Sequence, residues 1–188
     1  MTRLLKERFA VHFPFGSFET PSVPRLSENA IWLLEQRYFV LRYDERTRSL
    51  RKEKSFEEFA LRVARTIASA ETVYLDPAEA YTLEWLQILE KNIAHDILSR
   101  RFLFNSPCLF SSAAGLTVIP EFASIIYRPA EEMTFQDYVR LYKSRTKSQQ
   151  LFACFVINVP DSIEGIFESV KDASIISKFG GGVGGNFG

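Results

Sequence analysis

The sequence predicts an α/β chain in which an N-terminal all-helical domain precedes the first strand and helix of a parallel sheet. Apolar residues recur at helical spacing through the first hundred positions, and a continuous apolar run over 151–159 precedes another helical segment. Hydrophobic residues make up 46% of the 188 positions, which is enough for a packed core. The predicted divisions are an extended arm over 1–26, a helical domain over 27–103 and the start of the α/β part over 104–188.

Composition excludes several classes of function. The chain carries 23 basic and 23 acidic residues, so no excess positive charge predicts a nucleic-acid partner. No apolar run has the length of a membrane span, and the charged N-terminus differs from a signal peptide, so we expect a cytoplasmic protein. The two cysteines, Cys108 and Cys154, are too few for a disulfide framework, and neither His12 nor His95 has a second ligand at helical spacing. We therefore predict no metal site.

Capping signals predict three helices in the first hundred residues. Ser27 is the expected N-cap of the first helix, and Ser55 with Glu58 forms a capping box for the second. Asp76 as N-cap and Pro77 at the first helical position predict the start of the third. This part of the sequence therefore indicates a small helical domain.

Other segments are less regular. The charged stretch 43–54 predicts a solvated connection, with phosphate binding as the alternative for its basic residues. The segment 104–110 (FNSPCLF) predicts a turn that ends the third helix. A further helix is expected after Thr134, with Asp137 at its third position.

The apolar run 151–159 (LFACFVINV) predicts a strand that is buried on both faces, as in a parallel sheet. Asp161 or Ser162 is the expected N-cap of the following helix, and Gly180 its C-cap. The stripe predicted to be buried on this helix consists of Ile163, Ile166, Phe167, Val170 and Ala173.

Glycines dominate the last nine residues. Gly180, Gly182 and Gly185 match the GxGxxG pattern of dinucleotide sites, but that pattern must open a helix, whereas this one follows a helix. A Walker A sequence is absent. The glycines are therefore expected to let a strand edge or a loop lie flat against a ligand.

The segments FNSPCLF and FACFVINVPDSIEGIFESVKDASIISKFGGGVGGNF resemble the N-terminal part of a ribonucleotide reductase catalytic (alpha) subunit. The similarity is greatest to the adenosylcobalamin-dependent class II, in which segments like NSPTLF, SACFV, DSIEGIF and GGGTGFNFS occur in this order. It covers about the last half of the chain, and the stretch 115–149 is longer than the family pattern. The resemblance implies the first strand and helix of a ten-stranded α/β barrel, and reduction of ribonucleotides to deoxyribonucleotides for DNA synthesis.

The resemblance also implies roles for individual residues. Cys154 matches the first cysteine of the redox pair that reduces the ribose 2′ carbon and becomes a disulfide, although the strand alone favours a structural cysteine there. Ser106, Ala153 and Gly182 match positions that contact the substrate. Cys108 replaces a threonine that is commoner in the family, so we expect it to be structural.

The helix start matches the site for an allosteric deoxynucleoside triphosphate (dNTP) effector. The effector residues implied are Asp161, Ser162 and Ile163. A plain N-cap is the alternative for the same residues.

Cofactor and partners follow from the resemblance as well. Adenosylcobalamin would bind outside these residues, and a second chain would supply the rest of the barrel. A homodimer would form through the 162–179 helix; the alternative is that this helix packs only on its own sheet. The family's radical-bearing Asn-x-Cys-x-Glu segment does not occur in the 188 residues, so we expect no activity from this chain alone. A split subunit, an intein-flanked piece or a truncated product would each explain this.

Three matters stay open on the sequence alone. The radical-generating class and the choice between diphosphate and triphosphate substrates are not specified by these motifs. The alternative function is a noncatalytic nucleotide-binding module or structural partner, which would not depend on the Cys154 thiol.

Overall fold

The computed structural model describes residues 26–144 and 150–187, so the predicted arm over 1–26 lies almost wholly outside the described residues. The elements in chain order are α1 (Glu28–Leu33), β1 (Leu41–Asp44), β2 (Ser49–Lys52), α2 (Phe56–Ala70), α3 (Thr82–Leu98), α4 (Ser106–Ser111), α5 (Pro120–Ile126), α6 (Phe135–Lys143), β3 (Cys154–Asn158), α7 (Ile163–Lys178) and β4 (Gly182–Asn186). A helical body followed by one β-α-β unit confirms the predicted fold class. The described residues do not form a closed barrel.

The prediction of a solvated connection over 43–54 was right about solvent exposure, since most of these residues are exposed, but wrong about structure, because the segment forms most of an antiparallel hairpin of β1 and β2. Two arginines of this hairpin, Arg42 and Arg51, bind the Glu58 carboxylate at the start of α2. The Tyr43 amide donates to the Thr117 carbonyl at 2.7 Å, which ties the hairpin to the helical body. Arg51 also pairs with Asp44 within the segment, whereas Glu58 and Thr117 lie outside it, so the local charge pattern does not show how the hairpin is held against the helical body.

The helix starts agree with the capping signals in part. The Ser27 hydroxyl accepts a hydrogen bond from the Ala30 amide at 3.2 Å, which confirms the predicted N-cap of α1. The Ser55 hydroxyl accepts from the Glu58 amide at 3.2 Å, but the Glu58 carboxylate accepts from the Lys54 amide rather than completing a capping box.

The third helix begins later than predicted. The Asp76 carboxylate accepts from the Ala78 amide at 2.9 Å and so stabilises a turn, while α3 begins at Thr82. An Asx turn and a helix N-cap use the same side chain and the same downstream amides, so the sequence signal does not separate them.

Helix α2 is the centre of the helical body and packs against α3 and α6. It contributes residues to two buried clusters, both of which consist of hydrophobic side chains, as expected of a core. One cluster consists of Ala68, Leu86, Ala113, Leu116, Ile125, Ile126, Met133, Tyr138 and Leu141. The other consists of Phe39, Phe59, Ala60, Val63, Ile97 and Leu109.

The segment 104–110, predicted to be a turn, instead starts helix α4. The Asn105 side chain caps this helix by accepting from the Cys108 amide at 3.0 Å, and Pro107 lies in the first turn, where it is tolerated. The helix predicted after Thr134, with Asp137 at its third position, is confirmed as α6, and the two side chains form a capping box at its start.

Strands β3 and β4 are parallel and α7 connects them, so the glycine run forms a strand as well as a turn. The Ser162 hydroxyl caps α7 by accepting from the Gly165 amide at 3.1 Å. At the other end, the Gly181 amide donates to the Ile176 carbonyl at 3.1 Å and the Gly180 amide to the Ser177 carbonyl at 3.0 Å. This is a Schellman motif, and Gly180 has the left-handed φ of +85° that it requires.

Two burial predictions for this unit were wrong. One face of β3 is open, since Val156 is 84% exposed, because only α7 covers the sheet among the described residues. On α7 the Ser169 hydroxyl contacts the sheet, at the Asn158 carbonyl 3.2 Å away, and Gly165 lies against Pro160 just after β3. The apolar stripe predicted to be buried is instead mostly exposed, with Ile163 at 72% and Phe167 at 69%.

Candidate functional site

The open face of the β3–β4 sheet brings Cys154 and Gly182 together. These two residues are direct partners in the parallel register. Cys154 is a free, exposed cysteine, and its Sγ lies 3.9 Å from the position that a Cβ on residue 182 would take. Because Gly182 has no side chain, the backbone beside the thiol stays accessible to a ligand.

Ala153 fixes this pairing. Its carbonyl accepts a hydrogen bond from the Gly182 amide at 2.6 Å, just before the ladder begins. The Ala153 carbonyl is therefore engaged in holding the start of β4 beside Cys154. Three of the predicted substrate-contacting residues, Ala153, Cys154 and Gly182, thus lie at one end of the sheet.

The glycines of this run fall into two groups: at some positions packing requires glycine, and at others it does not. A Cβ on Gly181 would lie 2.6 Å from Ile176 Cγ2 and 3.0 Å from Phe155 Cε2, so glycine is needed there for packing. A Cβ on Gly184 would meet only the Phe155 carbonyl oxygen, at 3.9 Å, so packing does not require glycine at that position. Glycines that packing does not require, such as Gly184, leave the open face of the sheet flat.

Ser106 lies in the helical body, at the first position of α4. Its hydroxyl is 3.1 Å from the Tyr38 hydroxyl. The same helix reaches the glycine turn, because a Cβ on Gly180 would lie 3.4 Å from Cζ of the Phe110 ring. Helix α4 therefore borders the β-α-β unit, although no contact between Ser106 and Cys154 themselves is observed.

The predicted effector residues lie away from Cys154. Asp161, Ser162 and Ile163 are exposed and stand at the start of α7, beyond the carboxyl end of β3. From Cys154 to Asn158 that strand extends about 13 Å, at about 3.3 Å per residue. Ala153, Cys154 and Gly182 therefore lie at one end of β3 and the predicted effector residues follow its other end.

The other cysteine has no access to this face. Cys108 is 2% exposed within the helical body, and its Sγ lies 3.7 Å from the Ser112 hydroxyl. Burial raises the pKa of the Cys108 thiol, which disfavours the thiolate needed for redox chemistry. This burial agrees with the structural role expected for Cys108.

Two buried arginines on α2 were not predicted from the sequence. Arg62 and Arg65 are both 0% exposed, and each pairs with a buried glutamate, Glu53 and Glu90 respectively. Burial and the neighbouring carboxylate of Glu53 raise the pKa of the Tyr127 hydroxyl, which donates to Glu53 at 2.8 Å. The only signal in the sequence was two arginines on the face of a helix that should have been apolar.

A surface cleft of about 400 Å³ lies between the hairpin and helices α5 and α6, away from the predicted site. Its lining includes Arg48, Arg128 and Arg140, but two of these are neutralised. Arg128 pairs with Asp137, and Arg140 with Glu121. The cleft therefore presents mixed charge rather than a basic surface.

The described residues contain neither a metal-binding cluster nor a membrane-spanning helix. Across 26–144 and 150–187, no three His, Cys, Asp or Glu side chains are grouped as a metal site would require. No helix in these ranges combines the length and the apolar character needed to cross a membrane.

Comparison with known proteins identifies two matching family models. Residues 24–116 match the ribonucleotide reductase all-alpha domain, and residues 152–188 match the ribonucleotide reductase barrel domain. Together the two matches cover more than two thirds of the chain. Their order along the chain is that of the helical body and the β-α-β unit.

Individual relatives agree with these models. The chain is 47% identical over 47 residues to the ribonucleoside-diphosphate reductase subunit alpha of Helicobacter pylori, covering 25% of this chain and 6% of that protein. It is 47% identical over 66 residues to the vitamin B12-dependent ribonucleoside-diphosphate reductase of Thermoplasma acidophilum, covering 33% and 9%. The subunit alpha of Treponema pallidum is 50% identical over 48 residues, covering 26% and 6%. The matched stretches thus span less than a tenth of the length of these relatives.

Proposed function

Because the chain belongs to the ribonucleotide reductase large-subunit family, we propose that it provides one wall of a ribonucleotide site and the first thiol of a redox pair, Cys154. One observation carries this proposal: an exposed thiol stands on the open face of a parallel sheet, directly beside a glycine that leaves the backbone accessible. A purely structural cysteine would be expected in the core, where Cys108 lies.

The proposed chemistry is a two-electron reduction of the ribose. The 2′ hydroxyl leaves as water and a hydrogen takes its place, while two thiols lose two electrons and two protons and form one disulfide. Cys154 supplies one of these thiols. Since Cys108 is buried in the helical body, we propose that the second thiol comes from the rest of the barrel, outside these 188 residues.

Ser106 and the residues around Gly182 complete this wall. We assign the Ser106 hydroxyl and the backbone at Ala153 and Gly182 to contacts with the nucleotide. The contact between Phe110 of α4 and the glycine turn supports this assignment, because it brings the helix of Ser106 to the edge of the sheet.

We assign Asp161, Ser162 and Ile163 to an allosteric dNTP effector. Their exposure at the start of the 16-residue helix α7 supports this, because the positive end of a helix favours anionic groups, although the Ser162 hydroxyl already accepts from the Gly165 amide. Their separation from Cys154 along β3 is consistent with two different nucleotides, one for reduction and one for regulation.

The exposed stripe of α7 supports two proposed partners. A second polypeptide would supply the rest of the barrel against the open edges of the sheet, and a second copy of the chain would pack on the 162–179 helix. The stripe consists of Ile163, Ile166, Phe167 and Val170, all at least 44% exposed. Burying such a stripe at an interface would remove a large apolar surface from water.

Adenosylcobalamin is the proposed radical source, on the strength of one relative named as vitamin B12-dependent. When bound, it would supply the radical that starts ribose reduction. The clefts described on the helical body have mixed charged linings, and none borders Cys154, so no residue of this chain is assigned to the cofactor. A cytoplasmic location is also proposed, since reducing conditions there keep both cysteines as free thiols.

Co-expression with a polypeptide that carries the rest of a ribonucleotide reductase barrel tests this function. We expect the two polypeptides to co-purify and to convert ribonucleoside diphosphates to deoxyribonucleotides, and the 188-residue chain alone to have no such activity. Cys154→Ser should abolish conversion, whereas Cys108→Ala should retain it. Conversion that survives Cys154→Ser would favour the alternative, a noncatalytic nucleotide-binding or structural module.

A further inference from the structure

Arg62 is a fully buried side chain whose guanidinium makes five hydrogen bonds, two of them to the end of the helix that Ser106 begins. Its Nε donates to Glu53 Oε1 at 2.8 Å, and its Nη2 donates to Glu53 Oε2 at 3.2 Å and to the Tyr38 carbonyl at 3.1 Å. Its Nη1 donates to the carbonyls of Ser112 at 2.7 Å and Leu109 at 3.1 Å. All five N–H donors of the guanidinium are therefore used.

These acceptors belong to the two parts of the chain that surround Ser106: its own helix α4, and Tyr38. The carbonyls of Leu109 and Ser112 are at the end of α4, the helix that Ser106 begins, and helix ends leave such carbonyls without partners inside the helix. The Tyr38 carbonyl belongs to the residue whose hydroxyl is 3.1 Å from the Ser106 hydroxyl. Arg62 therefore holds the helix that carries Ser106 and also the residue that contacts its side chain.

We propose that Arg62 is a positioning residue for the ribonucleotide site: it fixes α4, and with it the Ser106 hydroxyl, relative to the glycine turn. This inference rests on the proposed substrate contact of Ser106. Arg62 itself is 0% exposed and does not touch the site, so it acts only through the backbone that it holds.

The geometry requires arginine rather than any cation. A planar guanidinium donates in several fixed directions, whereas a lysine ammonium has three donors at a single point. Lysine at position 62 would keep the charge opposite Glu53 but could not reach the carboxylate, the end of α4 and the Tyr38 carbonyl together. Arg62→Lys should therefore loosen α4 while keeping the buried charges balanced.

Arg65 provides a matched control on the same helix. It is also 0% exposed and pairs with Glu90 through Nε at 2.8 Å. Its Nη1 donates to the carbonyls of Ile125, Ile126 and Arg128, at the end of α5 rather than α4. Arg65→Lys thus removes the same kind of network at a different helix end.

Amide hydrogen exchange of the 188-residue chain tests the positioning directly. The amides of Leu109 and Ser112, at the end of α4, should exchange about tenfold faster in Arg62→Lys than in Arg65→Lys, since the charge-assisted hydrogen bonds from Arg62 to the carbonyls of these two residues are lost. Amides of α5 should show the reverse pattern. Equal acceleration of the α4 amides in both variants would overturn the inference.

A second pair of variants covers the case in which a lysine variant does not fold. Glu53→Asp and Glu90→Asp keep both arginines but withdraw their carboxylates, and the same crossed pattern of exchange is expected. Faster exchange in α4 for Glu90→Asp than for Glu53→Asp would contradict the inference.

Kinetics in the co-expressed complex separate this inference from the proposed function. Ser106→Ala should raise KM for a ribonucleoside diphosphate about fivefold. Arg62→Lys should raise it similarly, with no further rise in the double variant, whereas Arg65→Lys should leave KM unchanged. If Ser106→Ala has no effect on KM, the substrate role of Ser106 fails while the exchange pattern still decides the positioning. If only Ser106→Ala raises KM, the positioning by Arg62 is wrong.

Discussion

Replacing Gly181 with alanine tests whether the glycine run divides into a packing group and an open group. The added methyl would lie 2.6 Å from Ile176 Cγ2 and 3.0 Å from Phe155 Cε2. Ile176 is β-branched and lies in the last turn of α7, so its χ1 has little freedom to move the methyl away. The methyl can therefore be accommodated only by shifting α7 relative to β3.

The expected magnitude follows from two opposing contributions. Overpacking costs about 1–3 kcal/mol, while replacing glycine with alanine restricts the unfolded chain and gains about 0.4–1 kcal/mol. We therefore expect Gly181→Ala to lower the free energy of unfolding of the β-α-β unit by about 1–2 kcal/mol.

Gly184→Ala is the matched control, because the unfolded chain changes in the same way. The nearest atom to its new methyl is the Phe155 carbonyl oxygen at 3.9 Å, an ordinary contact. This variant should be neutral or more stable by up to about 1 kcal/mol.

Amide exchange of β3 residues, with urea unfolding followed by circular dichroism, measures both variants. Equal protection of β3 in the two variants would refute the division of the glycines. Lower protection in Gly184→Ala would refute it as well.

Three further predictions concern the helical body and the two cysteines. Burial opposes ionisation of Glu58, but hydrogen bonds from Arg51 and from the Lys54 amide outweigh it and lower its pKa below 4.5. The ionised Glu58 side chain therefore contributes its full stabilisation above about pH 5, and this stabilisation is lost as the pH falls through the lowered pKa of the folded state. Between about pH 5 and pH 3, urea titrations should show a larger loss of stability in the wild type than in Glu58→Gln. Equal losses in the two proteins would contradict this. Asn105→Ala removes the N-cap of α4 and should cost about 1 kcal/mol in thermal unfolding, and an unchanged midpoint would show that the cap is not needed. Cys154→Ser should leave the unfolding midpoint unchanged because the thiol is exposed, whereas Cys108→Ala should lower stability by about 1 kcal/mol; the reverse order would place the structural cysteine on the sheet.

Local signals predicted the parts of the fold that depend on neighbouring residues. The caps at Ser27, Thr134 and Ser162 were recoverable because a capping side chain bonds an amide two or three residues away. The hairpin at 43–54 was not, because Arg42 and Arg51 bind Glu58 on another element, although Arg51 also pairs with Asp44 within the hairpin.

The exposed stripe of α7 has a similar explanation. Periodicity identifies an apolar face but not what covers it, and in this chain small residues such as Ser169 face the sheet while Phe167 stays exposed. The buried arginines illustrate the same limit. Arg62 finds carbonyls as far along the chain as Ser112, a pairing that no local pattern encodes.

The part of the candidate site that follows from the order of the motifs along the chain was predictable from the sequence. The strand, acidic helix start and glycine run were located by pattern, and the structure places Cys154 beside Gly182. The sequence left a strand edge and a loop as alternatives for the glycines, because glycine is depleted in strands and its parallel partner β3 lies on the far side of α7 along the chain.

The most direct test of the central claim is the fate of the Cys154 thiol during a single turnover. The co-expressed complex would be incubated with a ribonucleoside diphosphate and adenosylcobalamin, without an external reductant, and its tryptic peptides analysed by mass spectrometry. The account predicts a disulfide between Cys154 and a cysteine of the second polypeptide, formed in proportion to deoxyribonucleotide, while Cys108 stays free. Deoxyribonucleotide formed while Cys154 remains a free thiol would contradict it.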